Sequence, residues 1–336
     1  MASGDWMPLL FCGLSIPISL FMWLGNVAFS KFWSSDYEVT FIEPAVIPPT
    51  RWLFSTLAPL TLMTVALSRR SVSKSGAALG VLVAFTLSIA SHPFFGSLVV
   101  FFFSSSRATK FRAQLKRKFE HDFKEGEGQR NWVQVLCNGG MATQLALLYL
   151  IDCGSGERAI DFAKEYRSSW LGIAVMSSFA CCNGDTWSSE LGSVLSKSDP
   201  ISIISWRRVP RGTNGGISLV GTVVSLLGGL LVGFGYFVTV RYTVDAKMLL
   251  VSPPQWPIIL FGGLAGLFGS LLDSVLGGLL QFSGINAQGK IVDAPGKGIR
   301  HVSGLRILDN HSVNLISSIV MGVTMPLLAL KFWPVR

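Results

Sequence analysis

The sequence predicts an all-α fold, a polytopic bundle of transmembrane helices. Three observations predict it. Half of the residues are hydrophobic and only 14% are charged, against about 25% in soluble domains. The mean hydropathy is +0.50. Apolar runs near the roughly 20 residues that cross a bilayer recur along the whole chain. Barrel strands need only about 9–11 alternating residues, and these runs are longer and unbroken. Only helices or closed barrels satisfy the backbone in lipid, so a single integral-membrane domain over residues 1–336 is expected.

Spanning runs fall at 7–29, 52–68, 132–151, 169–183, 216–240, 256–280 and 312–332. The first has no basic residue before it and exceeds a signal-peptide core, so it reads as a retained helix. The 29 residues of 76–104 would make one helix of roughly 44 Å. Ser88, Ser91, His92 and Pro93 lie near its middle, and proline breaks the helical ladder. This region reads as two short helices or a re-entrant hairpin, which brings the total to about 7–9 spans.

Charge supports the hairpin. Arg69, Arg70 and Lys74 precede it, and Arg107, Lys110, Arg112, Lys116, Arg117 and Lys118 follow it. A hairpin leaves both basic groups in the cytosol, as the positive-inside rule prefers. The same reasoning makes the N-terminus and loops 105–131, 184–215 and 281–311 cytosolic. The segments 30–51, 152–168 and 241–255 then face a lumen or the exterior, and the sequon Asn310-His311-Ser312 lies on the cytosolic side. No targeting motif is legible, so an ER-like endomembrane is the default expectation.

The net charge of +9 follows from the positive-inside rule and attraction to anionic lipid. No basic stripe interleaved with aromatics is present, so nucleic-acid binding is excluded, and no protein partner is legible. Cys12, Cys137, Cys153, Cys181 and Cys182 show neither zinc spacing nor a disulfide framework. The four histidines show no metal spacing, and His92 reads as packed. Gly284–Lys290 nearly matches a P-loop, but Ile291 stands where a Ser or Thr is required and the strand–helix context is missing, so that motif is rejected.

The polar stretches rich in Gly, Asp, Asn and Arg collect on the expected cytosolic face, which predicts a site on that rim. CCNGDTWSSELG (181–192) carries Asp185 and Glu190 beside hydroxyls. Mg²⁺ takes one or two carboxylates plus substrate phosphates. A helix start, capped by Asp with Glu in its first turn, explains the acids equally well. In RRVPRGTNGGIS (207–218), Arg211 leads into Gly212, Thr213, Asn214, Gly215 and Gly216 before an apolar helix. Glycines allow close backbone approach, free N–H groups at a helix start attract phosphate, and arginine adds charge-assisted bonds. The plain alternative is a flexible turn with positive-inside arginines.

Asp273 in GSLLDSVLGG lies inside an apolar helix, where a carboxylate costs about 2.5–3.5 kcal/mol on insertion scales. Such residues usually face the bundle interior, as a functional acid or a buried, paired one. In HVSGLRILDNHSVNLISS (301–318), Asn310 and Asn314 share a face and Asp309 is either a ligand or a helix cap. Arg107 and Lys110 follow the hairpin directly, where a helix end could reach the site.

The set GDTWSSELG, VPRGTNGGIS, GSLLDSVLG and LDNHSVNLISS resembles one integral-membrane family, that of plant phytyl-phosphate kinase, over nearly the whole chain. It is similar, more distantly, to the CTP-using dolichol and phytol kinases. The resemblance implies Mg²⁺-dependent transfer of a phosphoryl group from a nucleoside triphosphate to an isoprenoid monophosphate at the membrane surface. It implies a lipid bilayer, an isoprenoid phosphate and a nucleotide as partners. Under it, Asp185 and Asp273 act catalytically and hold Mg²⁺ with Glu190 or Asp309. Arg211 and Gly212–Gly216 cradle phosphates, and Arg107 and Lys110 neutralise charge. Asn214, Asn310 and Asn314 orient the nucleotide or acceptor, and the lipid tail runs along the glycine-lined face of 256–280. The runner-up is a transporter of a small ion or metabolite, suggested by the broken hairpin, Asp273 and the glycine-rich pair 226–235 and 261–269. A non-catalytic lipid-binding protein leaves the carboxylates unexplained.

Overall fold

The computed structural model describes residues 16–28, 46–111 and 129–334. Residues 7–15 of the first expected span, most of the 30–51 loop and the cluster Arg112 to Lys118 lie outside the described residues. The helices are α1 (Ile16–Ala28), α2 (Pro49–Ser68), α3 (Lys74–Ala90), α4 (His92–Lys110), α5 (Trp132–Cys153) and α6 (Tyr166–Trp187). They continue with α7 (Leu219–Thr243), α8 (Ala246–Val251), α9 (Pro257–Leu280) and α10 (Asn310–Phe332). Four of them, α5, α7, α9 and α10, are long and apolar enough to cross a membrane on length and composition alone.

The 76–104 region is two helices, but neither is short: α3 has 17 residues and α4 has 19. The break is a single residue, Ser91, in an extended conformation (φ −162°, ψ 136°), and Pro93 sits in the first turn of α4, where its missing N–H costs nothing. The two helices form a hairpin. At its open end, Lys110 Nζ donates to the Arg69 carbonyl (2.7 Å), and the Ser73 amide donates to the Arg130 carbonyl (3.0 Å). At its turn, the Gly156 amide donates to the Ala90 carbonyl (3.0 Å) and Ser155 Oγ to the Ile89 carbonyl (2.6 Å). The bundle therefore has two ends. One gathers 69–73, 105–111, 130–131, 184–217 and 281–309, and the other gathers 49–51, 90–92, 154–166 and 244–256. The three polar stretches thus share one end, here termed the site end.

α6 is the central helix, buried from Leu171 to Gly184 without a break. Its Ser169, Ser177, Ser178 and Asn183 are tolerated because protein, not lipid, surrounds them. It does not stop at Asn183 as the hydropathy suggested. It runs on through Trp187, a π turn (Ser188–Gly192) and a further turn (Ser193–Leu195).

α6, α7 and α9 meet backbone to backbone. A methyl group at Gly266 would lie 2.6 Å from the Ser225 carbonyl oxygen and 2.8 Å from Gly229 Cα, and one at Gly184 would lie 2.6 Å from Gly266 Cα. Small residues are what allow helices in membranes to approach this closely. The glycine-lined face of 256–280 is thus filled by neighbouring helices, which corrects the expectation that a lipid tail lies there. Gly266→Leu is expected to part these helices and destabilise the bundle by about 1–3 kcal/mol, the cost of overfilling a tight interior. Unfolding of purified protein in detergent with increasing SDS reads this as an earlier midpoint.

The loops at the site end carry short strands that the sequence reading did not anticipate. β1 (Ile201–Ser202) pairs antiparallel with β2 (Gly216–Ile217), and β3 (Ser283–Ile285) lies between β4 (Ile291–Val292) and β5 (Arg300–Ser303). Strands of two to four residues bearing Gly, Ser and Arg show no alternating pattern to read.

Candidate functional site: a paired-acid cluster

Asp185 lies near the C-terminal end of α6, and Asp273 lies two turns before the end of α9. Ser270, one turn earlier on the same face of α9, donates to Asp185 Oδ1 at 3.4 Å. This brings the two carboxylates within electrostatic reach of each other across the α6–α9 contact. From α10, the Asn314 amide nitrogen donates to Asp273 Oδ2 at 2.9 Å and to the Asn310 carbonyl at 3.2 Å. The amides of Asn314 and Asn138 meet at 3.3 Å, and Cys182 Sγ donates to the Asn138 carbonyl at 3.5 Å. Four helices thus supply one polar cluster, one to two turns inside the site end.

No lysine or arginine among the described residues ion-pairs with Asp185 or Asp273. Asp185 lies inside a helical run that continues to Leu195, and Asp273 lies two turns before the end of α9. The capping explanation of Asp185 therefore fails: it lies within a continuous helical run, not at a helix start. Two half-buried carboxylates without a basic partner need another source of positive charge. The donors on hand are carboxylate, hydroxyl and amide oxygens, the hard set that suits Mg²⁺. Asp185 and Asp273 would hold such an ion, with Ser270 and Asn314 beside them.

The expected four-acid set divides. Among the described residues no group of three His, Cys, Asp or Glu is placed to hold a metal. Glu190 lies half-buried in the π turn. Asp309 is exposed and caps α10, its Oδ1 accepting from the Ser312 amide at 2.8 Å. The Ser312 bonds hold its carboxyl below the usual carboxylate range. Asp309→Ala is expected to cost about 1 kcal/mol of stability and to leave metal affinity within twofold, read by thermal unfolding with and without Mg²⁺.

The 207–218 loop is bound up in structure. Asn214 is a latch: its backbone N–H donates to Ser283 Oγ (3.0 Å) and its side-chain Nδ2 to the Phe282 carbonyl (3.2 Å). Gly215 adopts φ +79°, and a methyl group there would lie 2.5 Å from Gly278 Cα and 2.9 Å from the Ser274 carbonyl oxygen. The loop therefore lies directly on the last turns of α9, at Gly278 and at Ser274, the residue that follows Asp273. Thr213 is buried, with its hydroxyl on the Pro210 carbonyl (2.7 Å). Gly212 (φ +89°) and Gly216 flank this turn, and Arg211 Nε lies 3.6 Å from Asp199 Oδ1. Lys110 closes the α3–α4 hairpin, and Arg107 is exposed on the last turns of α4. Asn310 is exposed at the first turn of α10.

Sequence reasoning missed Asn138, Ser270 and Asn183. Asn183 is a brace: it accepts from Ser104 Oγ and donates to the Gly228 carbonyl, both at 2.8 Å, joining α4, α6 and α7. Asn138 could have been found by the argument that found Asp273, a polar side chain inside an apolar helix.

Nine helices of ten or more residues among the described residues, one of them central, with a polar cluster drawn from four, define a polytopic α-helical integral membrane protein. The chain belongs to the family described as integral membrane protein DUF92, which matches residues 57–322. It is 38% identical to Protein PGR of Arabidopsis thaliana over 277 residues, 80% of this chain and 93% of that protein. It is 34% identical over 156 residues to an uncharacterized membrane protein of Methanocaldococcus jannaschii, 46% of this chain and 50% of that protein. A Synechocystis uncharacterized membrane protein is 32% identical over 189 residues, 55% of this chain and 63% of the relative. No solved structure matches.

Proposed function

We propose that this membrane protein is a phosphotransferase that moves the terminal phosphoryl group of a nucleoside triphosphate, CTP-like, to an isoprenoid monophosphate. The observation that carries the reading is the convergence of Asp185 and Asp273, without a basic partner among the described residues, inside one end of the bundle. The motif resemblance to the phytyl-phosphate kinase family supplies the reaction class. An oxygen of the acceptor phosphate attacks the γ-phosphorus, the β–γ bridging P–O bond breaks, and a nucleoside diphosphate leaves. The acceptor is already ionised at neutral pH, so no strong base is needed. Such transfers need positioning and charge neutralisation above all. Bound Mg²⁺ would neutralise phosphate charge there.

The chain's own residues divide the work. Asp185 and Asp273 hold the cation, and Ser270 and Asn314 orient the two carboxylates. Arg211, on the site-end loop, brings charge to the nucleotide phosphates, with Arg107 adding charge at the rim. The cytosol is the side on which nucleotide is supplied, so the site end faces it, in an endomembrane. Transport is less well supported: the glycine-rich pair that suggested it packs α7 on α9 backbone to backbone.

The test is an assay on purified protein with Mg²⁺, phytyl or geranylgeranyl monophosphate, and CTP, ATP, GTP or UTP in turn. Diphosphate product that depends on Mg²⁺ supports the reading and names the donor. Absence of product from every pair, with folded protein, would overturn it for these acceptors.

A further inference from the structure

We infer that two loops seated on the end of α9 form a binding surface for anionic phospholipid headgroups, with the Trp206 indole inserted among them. This holds whatever reaction the acid pair serves. α9 has 24 residues, about 36 Å at about 1.5 Å per residue, and a bilayer core is about 30 Å thick. Its last turns therefore emerge into the headgroup layer. Leu279, on the final turn, is exposed, so lipid reaches that level.

Both loops are fastened to that turn. In the first, Ile204 packs on Gly278, where an added methyl group would lie 2.9 Å from Ile204 Cγ1. In the second, the Leu305 amide donates to the Leu279 carbonyl at 2.9 Å and the Ile307 amide to the Leu280 carbonyl at 3.0 Å. These bonds satisfy carbonyls that a helix end leaves open. They also hold the two loops at the depth where α9 leaves the hydrocarbon.

At that depth the loops expose what a headgroup layer accepts. Trp206 is 75% exposed, Leu305 61% and Ile307 63%, so protein covers little of these large apolar side chains. Trp206 takes φ +55°, a region bulky residues rarely adopt. The Trp206 amide donates to the Ser202 carbonyl and the Ser202 amide to the Arg207 carbonyl, both at 2.9 Å, so the turn is held in that form. Arg207, Arg208 and Arg306 adjoin these apolar residues in the chain and are exposed. Among the described residues none of the three is ion-paired. Segments 201–210 and 300–308 hold four arginines and no acid. Tryptophan favours the membrane interface, guanidinium groups bind phosphate in pairs of bonds, and arginines are drawn to anionic leaflets. A soluble nucleotide could use the arginines but would leave Leu305 and Ile307 in water. An anionic lipid layer satisfies both sets.

The experiment places the full-length protein in phosphatidylcholine nanodiscs that carry equal mole fractions of brominated phosphatidylglycerol or brominated phosphatidylcholine. The chain has 10 tryptophans, so the emission of Trp206 is read as the parent minus Trp206→Phe. Both lipids should quench it. The anionic one should act as if about fivefold more concentrated, the enrichment that one arginine is worth at an anionic surface. Added salt should shrink this excess. Arg207→Gln/Arg208→Gln/Arg306→Gln should remove it and leave quenching by the phosphatidylcholine intact. Equal quenching of the parent by the two lipids overturns the inference. So does Trp206 emission that iodide quenches and neither lipid does. Emission moved by CTP and by neither lipid would overturn it too and give the loop to the nucleotide.

Discussion

Asp273→Asn is expected to lower phosphoryl transfer by about 100- to 1,000-fold, the scale set by losing one charged group that stabilises a transition state. Asp185→Asn should fall in the same range. The double variant should be little worse than either, because the two carboxylates act as one unit on one ion. Stability should move the other way. Each acid sits in a helix that would be easier to insert without it, and the two repel one another across the α6–α9 contact. Neutralising one relieves that repulsion, so the thermal midpoint without Mg²⁺ should hold steady or rise. The measurements are initial rates across a Mg²⁺ series and thermal unfolding with and without the ion. Rates within threefold of the parent would show that the pair is not the catalytic centre. A sharp loss of stability would show that it is a structural pair instead.

Glu157→Ala is expected to destabilise the bundle by about 3–5 kcal/mol, the usual cost of stripping one partner from a buried ion pair. Glu157 lies at the end opposite the acids, in the loop between α5 and α6. Arg51 Nη2 reaches its two carboxylate oxygens at 2.6 and 2.5 Å, and the Arg51 side chain is only 8% exposed. His92 Nδ1 lies 2.6 Å from Oε1, and the His92 amide donates to the same oxygen at 3.1 Å. One carboxylate therefore ties the start of α2 to the turn of the α3–α4 hairpin. Burial alone would raise its pKa, but the bonds from His92 and Arg51 overcome burial and lower it from 4.5 to about 2. A carboxyl held below its ordinary value stabilises the fold fully above about pH 4.5. That contribution fades as the pH falls from there toward about 2. The parent should lose stability over this window more steeply than Glu157→Ala, which has no such carboxyl to protonate. Parallel slopes would remove Glu157 from the account.

Much of the bundle was legible because long apolar runs have few ways to satisfy their backbone in lipid. The α3–α4 hairpin was readable from Pro93 and the basic groups at its ends. What escaped notice escaped for physical reasons. α6 looked short because it carries serines and Asn183, which are acceptable only in a helix shielded from lipid on every side, and shielding is a property of neighbours. The strands of the 281–309 segment are too short to show a period. Asp185 and Asp273 were visible as acids out of place, but their meeting depends on how α6 and α9 are apposed. Asp309 and Asn214 carried the same local signals as site residues and proved to be a cap and a latch.

The glycine contacts of α6, α7 and α9 bear on how the protein answers to its membrane. Bilayers differ in thickness by a few ångströms, and spanning helices adapt by tilting or sliding. Where Gly184, Gly229 and Gly266 touch, there is no side chain to act as a bearing between the helices. The three must tilt together, and Asp185 and Asp273 ride on two of them. The separation of the acids is thus set by main-chain contact and is insulated from lipid thickness, so the cluster keeps its geometry in thin and thick membranes alike.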